Sequence, residues 1–137
     1  MHLEAALQSE CSAFEERTGI PAPMIVLGEI PPLPTAAGAA LVLAVREALL
    51  NVEKHADARS VVVSLFSSAA EVGVAVVDDG DGEEGVELRD GDDIDQTLAT
   101  GLGLLSVRER LERVGGRLAL TTNEGPGMTL RAWVSRS

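Results

Sequence analysis

Tyrosine is absent from this 137-residue chain, and two Phe and one Trp are its only aromatic residues. A core must then be built from Val, Leu, Ile and Ala, and base stacking on aromatic rings is disfavoured as a binding mode. The single cysteine, Cys11, can form no internal disulfide, which fits a reducing compartment; helix packing is its expected role. No stretch approaches the roughly 18 apolar residues of a membrane span, and Met1 to Glu16 lacks the basic start and apolar middle of a signal peptide. These absences predict a soluble cytoplasmic domain with no membrane insertion of its own. Positive charge is also scarce: 11 Lys and Arg face 22 Asp and Glu, for a formal net charge of -11. Without Lys/Arg patches to release counterions, nucleic acid is not an expected partner. About ten of the acids lie between Asp78 and Asp95, where Arg89 is the only base. Such a field repels polyphosphate unless a divalent cation or a local Lys neutralises it.

What is present is 45% hydrophobic, enough at this length for one domain with a proper core and too short for two. Leu3, Leu7, Cys11 and Phe14 recur at helical spacing and Thr18-Gly19 follows as a stop, so the opening segment reads as an amphipathic helix. Met24 to Leu27 is a short strand candidate. Ile30-Pro31-Pro32-Leu33-Pro34 is a stiff connector, because proline lacks the donor and restricts its predecessor. A long helix is predicted from about Thr35 to His55, with Leu41, Val45, Ala48, Leu49, Val52 and Ala56 on one side and Glu47, Asn51, Lys54 and His55 on the other.

Ser60 to Phe66 and Glu71 to Val77 are β-branched runs joined by Ser67 to Ala70, a predicted hairpin. Asp79 to Ala99 has much Gly and Asp and almost no apolar periodicity, the pattern of a mobile loop whose length and polarity suit a lid. Helical spacing resumes from Leu104 to Val114 and stops at Gly115-Gly116. Arg117 to Thr122 and Met128 to Ser135 make a second hairpin.

Three blocks in this order can carry chemistry. In Glu47-x-x-x-Asn51-x-x-Lys54-His55 the spacing brings the polar residues to one helical stripe. Magnesium takes few oxygen ligands besides water and phosphate, so the Asn51 amide oxygen is a plausible sole protein ligand. Glu47 can orient a metal-bound water or assist proton removal, and Lys54 can meet phosphate as a point charge. An ordinary solvated face has the same pattern, and His55 alone makes no metal site. In Asp78-x-Gly80-x-Gly82 a carboxylate ends an apolar strand where glycines let the backbone turn and approach a ligand. It can accept from the exocyclic amine of adenine and repels the acceptor that guanine presents there; a plain Asp-Gly turn is the alternative. Gly80-x-Gly82-x-x-Gly85 matches the dinucleotide fingerprint only in letters, since no helix opens there and Glu83-Glu84 would repel pyrophosphate. In Gly101-Leu102-Gly103-Leu104 glycines open a helix, whose free N–H groups suit phosphate.

In this order the blocks resemble the ATP-binding catalytic domain of sensor histidine kinases, within the gyrase, Hsp90, histidine kinase and MutL ATPase superfamily. Arg46 to Ala56 is similar to the N box of the subfamily whose kinases commonly work with LuxR-type response regulators. Val77 to Gly82 is similar to its first glycine box and Gly101 to Arg110 to its second. Arg17-Thr18-Gly19-Ile20 and the Pro-rich connector extend the likeness to nearly the whole chain. The resemblance implies a two-layer α/β sandwich of the Bergerat type, a mixed sheet with helices on one face. It implies ATP between helix and lid, with Asp78 on adenine, Asn51 on Mg2+, and Lys54 and the turn from Gly101 to Leu104 near the phosphates. Two positions depart from the family: Leu102 replaces a polar residue, and Gly127-Met128 replaces the usual Gly-Thr, whose Thr supports the adenine site. Thr129 is the candidate to stand in.

The function this implies is presentation of Mg-ATP for phosphoryl transfer to a histidine on a dimerisation domain in cis or in trans, with a response regulator downstream and the bare domain monomeric. An anti-sigma factor serine kinase and a degenerate nucleotide-binding module are the alternatives.

Overall fold

A computed structural model describes residues 2–55, 58–80, 103–122 and 127–136. Most of the lid expected from Asp79 to Ala99 lies outside them, as do Ala56, Gly82, Gly101 and Leu102. The described elements are α1 (Leu3–Thr18), β1 (Met24–Leu27), α2 (Thr35–His55), β2 (Val61–Ser67), β3 (Glu71–Asp78), α3 (Leu105–Arg113), β4 (Arg117–Thr122) and β5 (Met128–Ser135). The expected helices, strands and hairpins are all there, with ends moved by a residue at most.

The strands form one mixed sheet in the order β1-β2-β3-β5-β4. β1 runs parallel to β2 and the other neighbours are antiparallel. Alternation gives the sheet a packed side and an open side. Val61, Val63 and Leu65 of β2, Val72, Val74 and Val76 of β3, Leu130, Ala132 and Val134 of β5, and Leu118 and Leu120 of β4 are all buried. The helices cover this side, adding Leu7 and Phe14 of α1, Leu41, Val45 and Leu49 of α2, and Val107 and Leu111 of α3 to one continuous core. The aliphatic composition thus resolves into a two-layer α/β sandwich. On the open side Phe66 lies over Gly73, where an added Cβ would meet the ring at 2.5 Å, and the Arg117 guanidinium sits 5.1 Å from the centre of the Trp133 ring.

Each helix boundary has a local cause. Gly19 takes a left-handed conformation at φ 75° and donates to Glu15 O, closing α1, while the Thr18 hydroxyl donates to Phe14 O. Cys11 packs inside α1's buried stripe, as expected, and burial foremost, with Glu15 and Glu10 nearby, pushes its thiol up to about 11. Two ion pairs fasten α1 to α2: Arg17 Nε to Glu53 Oε2 at 2.9 Å and Arg46 to Glu10 Oε1 at 2.6 Å. By length and composition Thr35–Lys54 is apolar enough to cross a membrane, with mean hydropathy 1.4. This corrects the expectation that no stretch comes near that mark, and the reason is packing: α2 is covered by α1 on one flank, α3 on the other and the sheet beneath.

The two glycines after α3 have different causes. Gly115 needs its freedom at φ 74° and has nothing near a would-be Cβ, whereas a Cβ on Gly116 would run into the backbone oxygen of Trp133 and lie 3.1 Å from Leu111 O. Gly115→Asn is therefore expected to be nearly neutral, since Asn tolerates the left-handed region. Gly116→Ala must push two backbones apart and is expected to destabilise by about 1–3 kcal/mol. Urea unfolding of the two variants checks this, and equal stability would contradict it.

Candidate functional site

α2 is long enough to turn one face to the core and the other outward. Ala48, Leu49 and Val52 are buried, while Glu47 and Asn51 are half-buried and Lys54 is exposed. The polar stripe therefore lies where a ligand can reach it. The side chain of His55 lies outside the described residues. Across from the stripe, Gly103 adopts φ 73° at the turn into α3, and a Cβ there would stand 3.6 Å from Glu47 Oε2. Sequence spacing separates Glu47 and Gly103 widely, and the fold sets them face to face.

Leu104, the next residue, is fully buried and ties that turn to the core. The N-cap residue Leu104 makes no side-chain cap hydrogen bond, and N–H groups in the first turn of a helix are donors of the kind phosphate takes. Leu104 thus anchors the turn with its side chain, and any contact it makes with a ligand is through the backbone.

Asp78 closes β3 with only 8% of its surface exposed. Its Oδ1 accepts from the Gly80 amide at 3.0 Å, so the first glycine of the block holds the carboxylate in place. Burial is the largest influence and raises the carboxyl above its ordinary range, helped by neighbouring Asp79; hydrogen bonds from the backbone of Gly80 and Met128 pull it back. A buried carboxylate is an acceptor of the kind an exocyclic amine can donate to.

Thr129 needs a correction. It pairs with Val77 in the β3–β5 ladder, one residue out of step with Asp78. Alternation therefore directs its side chain to the opposite side of the sheet. The residue in step with Asp78 is Met128, which meets the carboxylate through its backbone. Thr129 itself is 7% exposed, and its place in the ladder sets it on the other side of the sheet from Asp78.

Asp79 was not singled out from sequence, yet it joins two blocks. Its Oδ1 accepts from the Arg59 and Ser60 amides at 2.8 and 3.0 Å, and Oδ2 from the Ser60 hydroxyl at 3.2 Å. These bonds hold its carboxyl below the ordinary range, the Ser60 amide being the largest influence. The clamp ties the segment leaving α2 to the end of β3, beside Asp78. An Asp following a strand-ending Asp, opposite a Ser just before the paired strand, is the sequence signal for it.

A family model for histidine kinase-, DNA gyrase B-, and HSP90-like ATPases matches residues 37–137, and the chain belongs to that family. Sensor histidine kinase MctS of Rhizobium johnstonii is 36% identical over 135 residues, which is 98% of this chain and 28% of MctS. The signal transduction histidine-protein kinase/phosphatase DegS of Brevibacillus brevis is 30% identical over 124 residues, 90% of this chain and 30% of DegS. Among solved structures, the histidine kinase domain of the Erythrobacter litoralis EL346 blue-light activated histidine kinase matches with a TM-score of 0.65 at 27% identity, over 96% of this chain and 64% of that one. The fold is that of histidine kinase catalytic domains, and ATP is the nucleotide of the family. The chain spans less than a third of the length of MctS and of DegS.

Proposed function

We propose that this chain is the catalytic domain of a sensor histidine kinase, holding Mg-ATP for transfer of its terminal phosphoryl group to a histidine on a separate dimerisation domain. The observation that carries the reading is the approach of Glu47 on the polar stripe of α2 to the Gly103 turn, with Asp78 buried at the end of β3. Among the described residues no three His, Cys, Asp or Glu gather into a cation cage. Magnesium keeps several waters and takes few protein oxygens, so the Asn51 amide oxygen, with water and nucleotide oxygens completing the shell, would suit it.

Within this reading each residue has one task. Asp78 accepts from the adenine amine, and the N–H groups at the start of α3 and the Lys54 ammonium meet phosphate oxygens. Glu47, facing the same turn, orients water or takes up the proton of the attacking group. A bound magnesium ion would neutralise charge on the transferring phosphoryl oxygens. The ATP requirement assigns the domain to the cytoplasm, and a response regulator would take the phosphoryl group onward.

The acceptor histidine must come from elsewhere. His2 and His55 are the only histidines in the chain: His2 precedes α1 and His55 ends the helix that forms the site. In-line positioning supplies most of the catalysis in phosphoryl transfer, and a separate helical domain would bring its histidine nitrogen in line to attack the terminal phosphorus. With γ-labelled ATP the chain alone is expected to acquire no acid-labile label, and an added His-bearing dimerisation domain is expected to acquire it. Acid-labile label on the chain alone would overturn the reading.

A further inference from the structure

Among the described residues the large apolar side chains that stand exposed are three in a row: Ile25 at 45%, Val26 at 38% and Leu27 at 55%. All belong to β1, which lies at an edge and pairs with β2 alone. The amides of Val61 and Val63 donate to Pro21 O and Pro23 O, which fixes the odd-numbered residues of this segment toward β2. Backbone groups alternate along a strand, so the N–H and C=O of Met24 and Val26 point away from the sheet. No described residue pairs with them. Natural edges are usually blunted by charge, proline or a bulge, and Met24 to Leu27 carries none of these.

Beside this edge, on the helical side of the sheet, lies a cleft of about 780 Å³ lined by Val26, Ile30, Leu33 and Leu3, with Glu4, Glu29 and His2 as its titratable groups. No Lys or Arg lines it. Both glutamates are exposed, and neither forms an ion pair among the described residues. The cleft is remote from the α2 stripe and takes no part in the site above.

We propose that the free edge of β1 and this cleft dock an extended segment of alternating apolar and basic residues from a partner protein. Added as a sixth strand, the segment exchanges main-chain hydrogen bonds with Met24 and Val26. Its basic side chains enter the cleft and meet Glu4 and Glu29, their stems along Val26 and Leu33, and its apolar ones lie on the open face beside Ile25 and Leu27, which pair with Ser64 and Phe66. Charge selects this occupant over a second copy of the chain. Edge-to-edge pairing of two copies would bring both acidic rims together in a protein already at net -11, whereas a basic segment neutralises them.

The probe is a fluorescein-labelled hexapeptide, Lys-Val-Lys-Val-Lys-Val, titrated with the whole chain at about 150 mM salt, where long-range attraction is screened. Saturable one-to-one binding is expected by anisotropy. Val26→Pro deletes the outward N–H and leaves the bonds of Ile25 and Leu27 to β2 in place, so binding should weaken about tenfold while the melting curve holds. Glu4→Gln with Glu29→Gln should weaken it severalfold. The same peptide N-methylated at alternate residues tests the ladder on unaltered protein, and it should not bind. Three results overturn the proposal: no saturable binding, equal binding of the N-methylated peptide, or a concentration-dependent dimer of the chain alone that Val26→Pro abolishes. The last would make a second copy the occupant.

Discussion

Asp78→Asn is expected to weaken ATP binding roughly ten- to a hundredfold, the loss of one charge-assisted hydrogen bond at about 1.5–3 kcal/mol. Discrimination against GTP should narrow in the same variant. Guanine places an acceptor where adenine places its amine, and an asparagine can turn its donor toward either base. The folded protein should not suffer equally. Burial holds the Asp78 carboxyl above its ordinary range, so the ionised form at neutral pH is the one that folding disfavours.

The sign follows from linkage. For a carboxyl raised in the folded state, stability falls as pH climbs from its unfolded value through the raised one. Asp78→Asn should remove that fall and leave neutral-pH stability the same or higher. Asp79 works the other way: its lowered carboxyl supports the fold above the ordinary aspartate range and loses that support as pH drops through its folded value. Calorimetric titration of ATP and GTP, with melts across the acidic range, separates the two effects. Unchanged nucleotide affinity in Asp78→Asn would remove Asp78 from the adenine site.

Asn51→Ala is expected to lower phosphoryl transfer to an added dimerisation domain by about a hundred- to a thousandfold, the usual range when a group holding charge-stabilising machinery is deleted. ATP affinity measured with magnesium should fall to the value measured with EDTA, because the protein's own hold on the metal is gone. Helix α2 should survive intact. Asn51 is half-buried, and alanine is the better helix former at an interior position, so a lower melting temperature is not expected. A variant that kept its magnesium dependence would place the metal ligand elsewhere.

Periodicity exposed much of this fold. The stripe Leu3, Leu7, Cys11, Phe14 and the two faces of α2 can be read because a helix repeats its environment every three to four residues. The strand order cannot be read that way. Alternation in β3 and β5 says which residues face inward, but their adjacency, with β4 displaced to the edge, is decided by where α2 and α3 pack. Thr129 shows the same limit at one position: the motif locates it beside Met128, and only the ladder to Val77 reveals its side of the sheet. The Asp79 clamp spans two blocks distant in sequence. The apolar richness of Thr35–Lys54 is ambiguous until its neighbours in space are known.

The pairs Glu10–Arg46 and Arg17–Glu53 lie the same distance apart on both helices, seven residues, with the charges exchanged between them. Exposed pairs of this kind add little stability, and their effect is alignment. α1 and α2 run in the same direction, and a slip of one turn in either would break both pairs together and leave Glu10 and Arg17 without their partners. Arg46 adjoins Glu47 and Glu53 adjoins Lys54, so the bonds that fix this vernier sit next to the residues proposed to meet the nucleotide. A twist imposed on α1 would reach the α2 stripe as a change of pitch, without any residue of α1 entering the site.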